Sequence, residues 1–388
     1  MRRKGMILLL SAVLVLAGAC GQADAPQSDE QTETAAEASA GETDFSKMKA
    51  DSSLDLQYAT QFTVDYYGEY TYITIADSQK ILLVPEGAAE PENVPDDVLI
   101  LQQPLDHVYL VSTSAMDLVC ACGSLSNITL SGEEQDGWYV QEAADAMADG
   151  SLVYAGKYSM PDYELILGSD CDLAIENTMI YHNPEVKEKL ESLGIPVLVE
   201  YSSYESDPLG RLEWIKFYGA LFGREEEAES FYDAQLAKIE PLLDKEASGK
   251  TAAVCAIDSN GQVTVRRPGD FITKMISYAG GTYAIEDAGQ DESNSSVLTM
   301  NMEDFYAQAK DADILIYNGT ISDEISSIGE LTAKNELFSD FKAVKEGNVY
   351  CLSHEFFQQT ADSCSLISEL YDIFNGIDAE HTYLTRLE

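Results

Sequence analysis

YSSYESDPLGRLEWIKFYGALFGREEEAESFYDAQLAKIEPLLDKEASGK, residues 201–250, holds two helices back to back. In the first, Leu209, Leu212, Ile215, Phe217, Leu221 and Phe222 recur at helical spacing between Pro208 and Gly223. Asp207 is placed to cap it, and Pro208 takes the first helical position, where a missing N–H costs nothing. The second runs from about Glu225 to Lys245, with three Glu residues at its start and a Lys at its end, as the helix dipole favours. Ala228, Phe231, Tyr232, Leu236, Ile239 and Leu243 trace one apolar face along it. No Gly or Pro interrupts it before Pro241, and at ~1.5 Å per residue it is about 30 Å long. This predicts a stiff strut, because strands alternate with helices on both sides of it.

Upstream, FTVDYYGEYTYITI (residues 62–75) and KILLVP (residues 80–85) read as a Tyr-rich β-meander, followed by a short strand at Val98–Leu101. His107–Val111, Asn127–Leu130, Leu173–Ile175 and Ile195–Val199 then read as strands. Helices are expected between them at Ala115–Cys122, Val140–Met147, Tyr163–Leu167 and Glu185–Leu193. Downstream the pattern restarts with strands at Thr251–Ile257, Val263–Val265, Ile314–Tyr317 and Val349–Leu352. The helices there are Phe271–Ala279, Met302–Ala309, Glu330–Phe338 and Cys364–Phe374. Such alternation with short loops predicts βαβ units and largely parallel sheets. The fold class is therefore α/β: two Rossmann-like α/β lobes joined by a single long backbone helix, with the ligand cleft between the lobes.

The N-terminus has its own chemistry. Arg2, Arg3 and Lys4 precede an apolar run from Met6 to Ala17, then small residues and Cys20. This reads as an export signal, residues 1–19, with Ala17-Gly18-Ala19-Cys20 resembling a bacterial lipobox and Cys20 as the lipidated residue. Residues 20–50 lack large apolar groups over most of their length and read as a disordered tether. The remaining boundaries are 51–223 for the N-terminal lobe, 224–248 for the linker helix, 249–378 for the C-terminal lobe and 379–388 for a tail. With 23 basic and 68 acidic residues the net charge is −45, which excludes nucleic acid as a partner. The six other cysteines, Cys120, Cys122, Cys171, Cys255, Cys351 and Cys364, are scattered, so the chain is no disulfide scaffold; free thiols and bridges are both open.

An exported lipoprotein of this pattern resembles the substrate-binding proteins of ABC importers, in the class whose lobes share one backbone helix. The runs that carry the resemblance are PDYELIL with CDLAIEN, NPEVKEKLESLGIPVLVEYSSYESDPLGRLEWIKFYGALFG, RRPGDFITKMISYAGG and MNMEDFYAQAKDADILIYNG. Within that class it is most similar to the binders of ferric siderophores, haem and cobalamin. The elongated meander from Phe62 to Pro85 departs from the family pattern, so ligand positions there do not carry over. The resemblance implies a monomer without cofactor or catalysis. It binds a small-molecule metal chelate and delivers it to a permease dimer with its ATPase. It is held by a lipid anchor on the extracytoplasmic face of the cell membrane. It also implies one docking Glu on each lobe, which the matching runs place at Glu185 and Glu303, both at helix starts.

Ligands of open α/β sheets sit at the carboxyl ends of the strands. The loops there offer Lys157, Tyr158, Tyr201, Tyr204, Arg266, Arg267, Tyr317, His354, Phe356 and Phe357. The aromatic members suit a large flat or aryl-bearing ligand, and the cations suit carboxylate or catecholate oxygens. Arg211 reads as structural, paired with Glu205 or Glu213. If the ligand is haem, Tyr158, Tyr204 and His354 are the candidates for its iron. Two alternatives are carried forward. A bare-ion site needs three or four converging ligands, and His107, His182, His354 and His381 supply no such cluster in sequence. A tetrapyrrole chelatase would use paired His residues in the cleft, with His182 and His354 as the pair. No phosphate-binding loop or hydrolase motif occurs.

Overall fold

The computed structural model describes residues 43–286 and 296–388. At its centre is helix α5, Pro208–Phe222, with the caps the sequence predicts: the Asp207 carboxylate accepts the Leu209 N–H, and Gly223 ends the helix in the left-handed conformation. The helix is buried on every side, so it has no wet face. Of its three charged residues, Glu213 and Lys216 are buried in the middle of the helix. Glu213 accepts the backbone N–H groups of Gln57, Tyr58 and Ala59. Lys216 sits 3.5 Å from Glu213, 3.2 Å from Glu229 and 4.5 Å from the Tyr232 ring centre. Residues 57–61 cross α5 so closely that a Cβ on Gly210 would lie 2.9 Å from the Tyr58 carbonyl. Glu205 takes the N–H groups of Thr60 and Gln61 in the same way.

Helix α6, Glu225–Leu243, lies on the outside, packed against α5 and against α11, Ser363–Asn375. Its buried residues are Ala228, Tyr232, Gln235 and Ile239, while Leu243 is exposed. Helix α5 touches Thr113–Ala121 and Phe62–Tyr67 on one side and Phe271–Tyr278 and α11 on the other, and α6 in turn bridges α5 and α11.

The first sheet comprises β1 (Ser52–Ser53), β2 (Phe62–Tyr67), β3 (Tyr70–Ile75), β4 (Gln79–Val84) and β5 (Val98–Gln102) in that order. It is antiparallel except between β4 and β5. Alternation gives it two faces. Phe62, Val64, Ile73, Ile75, Ile81 and Leu83 join α5 in the main core, while Tyr70, Leu82 and Val84 face the other way. That second face is covered by residues 43–48, with Phe45 5.3 Å from Tyr67 and 5.8 Å from Tyr72. The part of the expected tether from residue 43 onward is therefore folded. The rest, with Cys20 and the leader, lies outside the described residues.

The second sheet is parallel and runs β12-β11-β6-β7-β8. Its strands are β6 (Val108–Leu110), β7 (Ile128–Ser131), β8 (Val153–Tyr154), β11 (Leu173–Glu176) and β12 (Val197–Val199). A hairpin of β9 (Gly156–Lys157) and β10 (Met160–Pro161) stands beside it. The helices threaded between are α1 (Thr113–Ala121), α2 (Gln141–Asp149), α3 (Tyr163–Gly168) and α4 (Pro184–Ser192). The Gln79 side chain joins the two sheets, giving a bond to the Val199 carbonyl and accepting one from its N–H, both at 2.8 Å.

The third sheet has β13 (Thr251–Ile257), β14 (Val263–Arg266), β15 (Thr282–Tyr283), β16 (Val297–Met300), β17 (Ile314–Asn318), β18 (Val349–Leu352) and β19 (Leu384–Arg386). Strands β13, β15, β17 and β18 are parallel; β14, β16 and β19 are antiparallel additions. Around it stand α7 (Phe271–Tyr278), α8 (Met302–Ala309), α9 (Ile328–Lys334) and α10 (Lys342–Glu346). The expected helix Glu330–Phe338 ends at Lys334, because Asn335 is extended and caps a separate turn of 3₁₀ helix. The residues expected to be a tail are held firmly. Tyr383, Leu384 and Leu387 are buried, and Glu369 accepts the N–H groups of Thr382, Tyr383 and Leu384. All six cysteines among the described residues are free thiols. No described helix is long and apolar enough to cross a membrane.

Candidate functional site

The loops that follow β6, β12 and β18 meet at one cavity of about 210 Å³. Thr113, Ser114, Ser202 and Ser203 line it from the second sheet, and Phe271, Phe356, Phe357, Gln359, Thr360 and Ser363 from the third. Arg211, in the first turn of α5, lies between the two sets.

Arg211 is the residue that sequence reasoning discounted. Its Nε and Nη2 donate to the carbonyls of Glu205 and Ser203 at 2.8 and 2.7 Å, and its guanidinium stacks on Phe271, 3.7 Å from the ring centre. The expected carboxylate partners are not its hydrogen-bond partners, because Glu205 and Glu213 are occupied by the backbone of residues 57–61. Burial lowers the Arg211 pKa to about 10, with Asp270 and Glu200 opposing that shift, so it remains a cation at neutral pH. Glu200 is buried and accepts the Ser202 N–H at 2.7 Å and the Ser112 hydroxyl at 3.1 Å; burial pushes its pKa up. Asp270 caps α7 and faces Arg266 at 3.7 Å. The charged groups thus alternate in sign along the join, Glu200, Arg211, Asp270, Arg266. The hydroxyls and the guanidinium suit an anionic oxygen group of a ligand.

Aromatic side chains flank the cavity. Tyr201 is half-buried, 5.1 Å from Tyr204 and 6.4 Å from Tyr181, and its hydroxyl donates to that of Tyr181. Tyr204 is 52% exposed, and Tyr181 is similarly open. On the other side Tyr139, His354 and Phe357 form a second group, with His354 5.5 Å from Tyr139 and 5.0 Å from Phe357. Tyr139 and Tyr181 were not singled out in the sequence; their only signal was a Tyr near a strand end, shared by many of the 22 Tyr residues.

One flank of the site is clasped shut. Gln358 is fully buried; its amide accepts the Tyr139 N–H and donates to the Gly137 carbonyl, both at 2.8 Å. Gln359 donates to the Tyr139 carbonyl at 3.1 Å. Beside them Asp117 of α1 accepts the Ala361 N–H at 2.7 Å, and burial pushes Asp117 up to about 7.

The sequence-derived residues divide as follows. Phe356 and Phe357 line the cavity, and Tyr201, Tyr204 and His354 stand in the groups around it. Tyr317 is a correction: it is 0% exposed in the core of the third sheet, and its hydroxyl accepts from Ser322. Arg266 is also buried, 6% exposed, and turns to Asp270 and Thr320 rather than outward. Arg267 is half-buried at the same turn. Lys157 is exposed on the β9–β10 hairpin and Tyr158 packs on the second sheet's core; neither lines the cavity. Glu185 and Glu303 are exposed in the first turns of α4 and α8. Among the described residues no group of three His, Cys, Asp or Glu side chains converges to hold a metal ion. A hollow of about 610 Å³ between the first sheet and α4 is larger but lies away from the strand ends.

Comparison with known proteins gives three kinds of likeness. A family model described as periplasmic binding protein matches residues 127–355. An uncharacterised lipoprotein of Methanocaldococcus jannaschii is 24% identical over 330 residues, spanning 78% of this chain and 77% of its own. A putative ABC transporter substrate-binding lipoprotein of Bacillus subtilis is 23% identical over 198 residues, 50% of this chain and 60% of its own. Among solved structures, a periplasmic haem-binding protein of Pseudomonas aeruginosa superposes with a TM-score of 0.55 at 15% identity, covering 73% of this chain and 98% of its own. At that identity the likeness is one of fold.

Proposed function

This chain belongs to the periplasmic binding protein family, and we propose that within it the protein serves an ABC importer by capturing a ferric chelate, a siderophore or haem. The carrying observation is the cavity at the strand ends, with the Arg211 cation between two sets of loops and aromatic groups on its flanks. A chelate that is large, partly aromatic and carries anionic oxygens meets each of these features with a matching one. Cobalamin is the alternative ligand. Capture and release proceed without bond making, with the α5–α6 pair joining an N-terminal and a C-terminal lobe and limiting their movement.

Lipidation at Cys20 would hold the protein on the extracytoplasmic face of the membrane; three of its relatives are named as lipoproteins, which supports that reading. Delivery is to a permease dimer with its ATPase, and Glu185 and Glu303 are the docking residues. The test is titration of tryptophan fluorescence with hemin, cyanocobalamin, a ferric catecholate and a ferric hydroxamate. Trp138 adjoins the Gly137–Tyr139 clasp and so reports on it. Sub-micromolar binding of at least one ligand, recovered chemically unchanged, is the expected result. Failure of all four to bind would overturn the assignment.

A further inference from the structure

The cavity beside Arg211, about 210 Å³, is smaller than the roughly 300–1,000 Å³ of ordinary small-molecule pockets. A more open hollow of about 700 Å³ lies close by, lined by Tyr139, Ser353, His354, Glu355 and residues 320–324. Phe357 belongs to both. Its side chain lines the smaller cavity, and its ring packs on two walls of the larger, 5.0 Å from His354 and 5.9 Å from Tyr139. Tyr139 and His354 are themselves 5.5 Å apart, so the three rings close a triangle where the two hollows adjoin.

The three members are not equally held. His354 has a fixed seat: Nδ1 lies 2.8 Å from the Gly319 carbonyl, and the backbone N–H donates to Glu324. Tyr139 is gripped at its main chain, the N–H by Gln358 and the carbonyl by Gln359. The Phe357 backbone is pinned on both sides. Phe356 is buried 5.1 Å from Tyr383, and Gln358 is fully buried with its amide on Gly137. The Phe357 ring itself has no polar atom to anchor it and is 39% exposed. With the backbone fixed, the freedom left to it is rotation between staggered side-chain wells. Leaving the triangle breaks no hydrogen bond.

We propose that Phe357 is a gate. Its ring divides the ligand site in two, and turning it outward joins the cavity and the hollow into one cleft of the size a chelate needs. This rests on the proposed binding function and adds a step to it. The Gln358–Gln359 clasp is the frame, holding Tyr139 and the loop backbone while the ring turns, so entry does not require the lobes to part. A gate slows entry and exit alike, whereas a side chain that only touches ligand slows exit.

The first test needs no ligand. Ser114→Cys puts a thiol on the wall of the smaller cavity. Its reaction with fluorescein maleimide is followed by mass spectrometry of its peptide, which separates it from the six free cysteines. Adding Phe357→Ala should speed that reaction about fivefold, because access limits a shielded thiol. Methyl methanethiosulfonate, small enough to pass the ring, should react alike with and without the second change. Equal maleimide rates would overturn the gate, and so would an equal rise with both reagents, which means general loosening. The second test is stopped-flow mixing with each of hemin, cyanocobalamin, a ferric catecholate and a ferric hydroxamate that binds the parent. In Phe357→Ala association and dissociation should both be about fivefold faster, against the usual pattern in which mutations act on dissociation. Faster dissociation with unchanged association would make Phe357 a ligand contact and overturn the gate. If none of the four binds the parent, the importer reading falls, and the labelling rates alone decide the gate. Should Phe357→Ala unfold, Phe357→Leu replaces it under the same criteria.

Discussion

The guanidinium of Arg211, on the central helix, lies 3.7 Å from the ring centre of Phe271, the residue that opens α7 beside the third sheet. Arg266 approaches the same ring at 5.3 Å. A stacked, partly desolvated guanidinium of this kind is worth ~0.5–2 kcal/mol. Its two bonds to backbone carbonyls add specificity that an ammonium group does not reproduce. Arg211→Lys keeps the charge but loses the planar fork and the stack. Urea denaturation should show a loss of about 1–2 kcal/mol, and ligand titration an affinity lowered about tenfold, equivalent to ~1.4 kcal/mol. Unchanged affinity would remove Arg211 from the site.

The Gln358 clasp makes a second expectation. Gln358→Ala leaves the Tyr139 N–H and the Gly137 carbonyl, both part-buried, without their partner. An unsatisfied buried group costs ~1–3 kcal/mol. The variant should melt at lower temperature and release ligand several-fold faster in stopped-flow displacement. A variant that melts and releases like the parent would mean the two sides are held by other contacts.

Glu176, at the end of β11, is 0% exposed, and neither carboxylate oxygen has a hydrogen-bond partner among the described residues. Burial pushes its pKa up to about 8. The unfolded chain gives up this proton in the ordinary carboxylate range, near ~4.3, while the folded protein keeps it. The contribution to stability is therefore complete at low pH and falls as pH rises through that window, levelling off above about 8. Asp117, pushed up to about 7, adds the same sign over a narrower range. Glu176→Gln removes the larger part. It should flatten the decline and stabilise the protein at pH 8 by on the order of 3 kcal/mol, with little effect at pH 4. Chemical denaturation across pH checks this, and an unchanged slope would refute it.

Docking is tested by charge removal. Glu185→Ala and Glu303→Ala replace exposed first-turn carboxylates, so the fold should change by no more than a few tenths of a kcal/mol. Ligand affinity should stay the same. Uptake by cells carrying the cognate permease should fall, most in the double variant, because interface charges set orientation and capture rate. Normal uptake by the double variant would dismiss both residues.

The sequence made the main architecture legible where apolar spacing, caps and breakers agree. Asp207, Pro208 and Gly223 bound α5 as read. It was silent where both faces of an element are covered. In a parallel sheet packed on both sides, inward and outward positions are equally apolar, so Tyr317 at a strand end could not be told from a core residue. The edge strands β16 and β19, four and three residues long, are too short to show a period. Arg211 reads as structural in the sequence because two acids stand near it. Those acids answer to residues 57–61, which no local spacing reveals. The His354 seat likewise depends on Gly319, 35 positions earlier.

The bond between α5 and residues 57–61 bears on the order in which the chain is made. Glu213 and Glu205 together receive five consecutive backbone N–H groups, from Gln57 to Gln61, across separations of 144 to 156 residues. A ribosome delivers those donors first and their acceptors well over a hundred residues later. Until α5 emerges, this stretch has no native partner, and β2, which follows it directly, lacks the helix its apolar face rests on. Long-range closures of this kind are slow, because the loop entropy must be met before the contact forms. A nascent chain stopped before residue 205 would carry the meander with that face open, as a target for chaperones or for other strands.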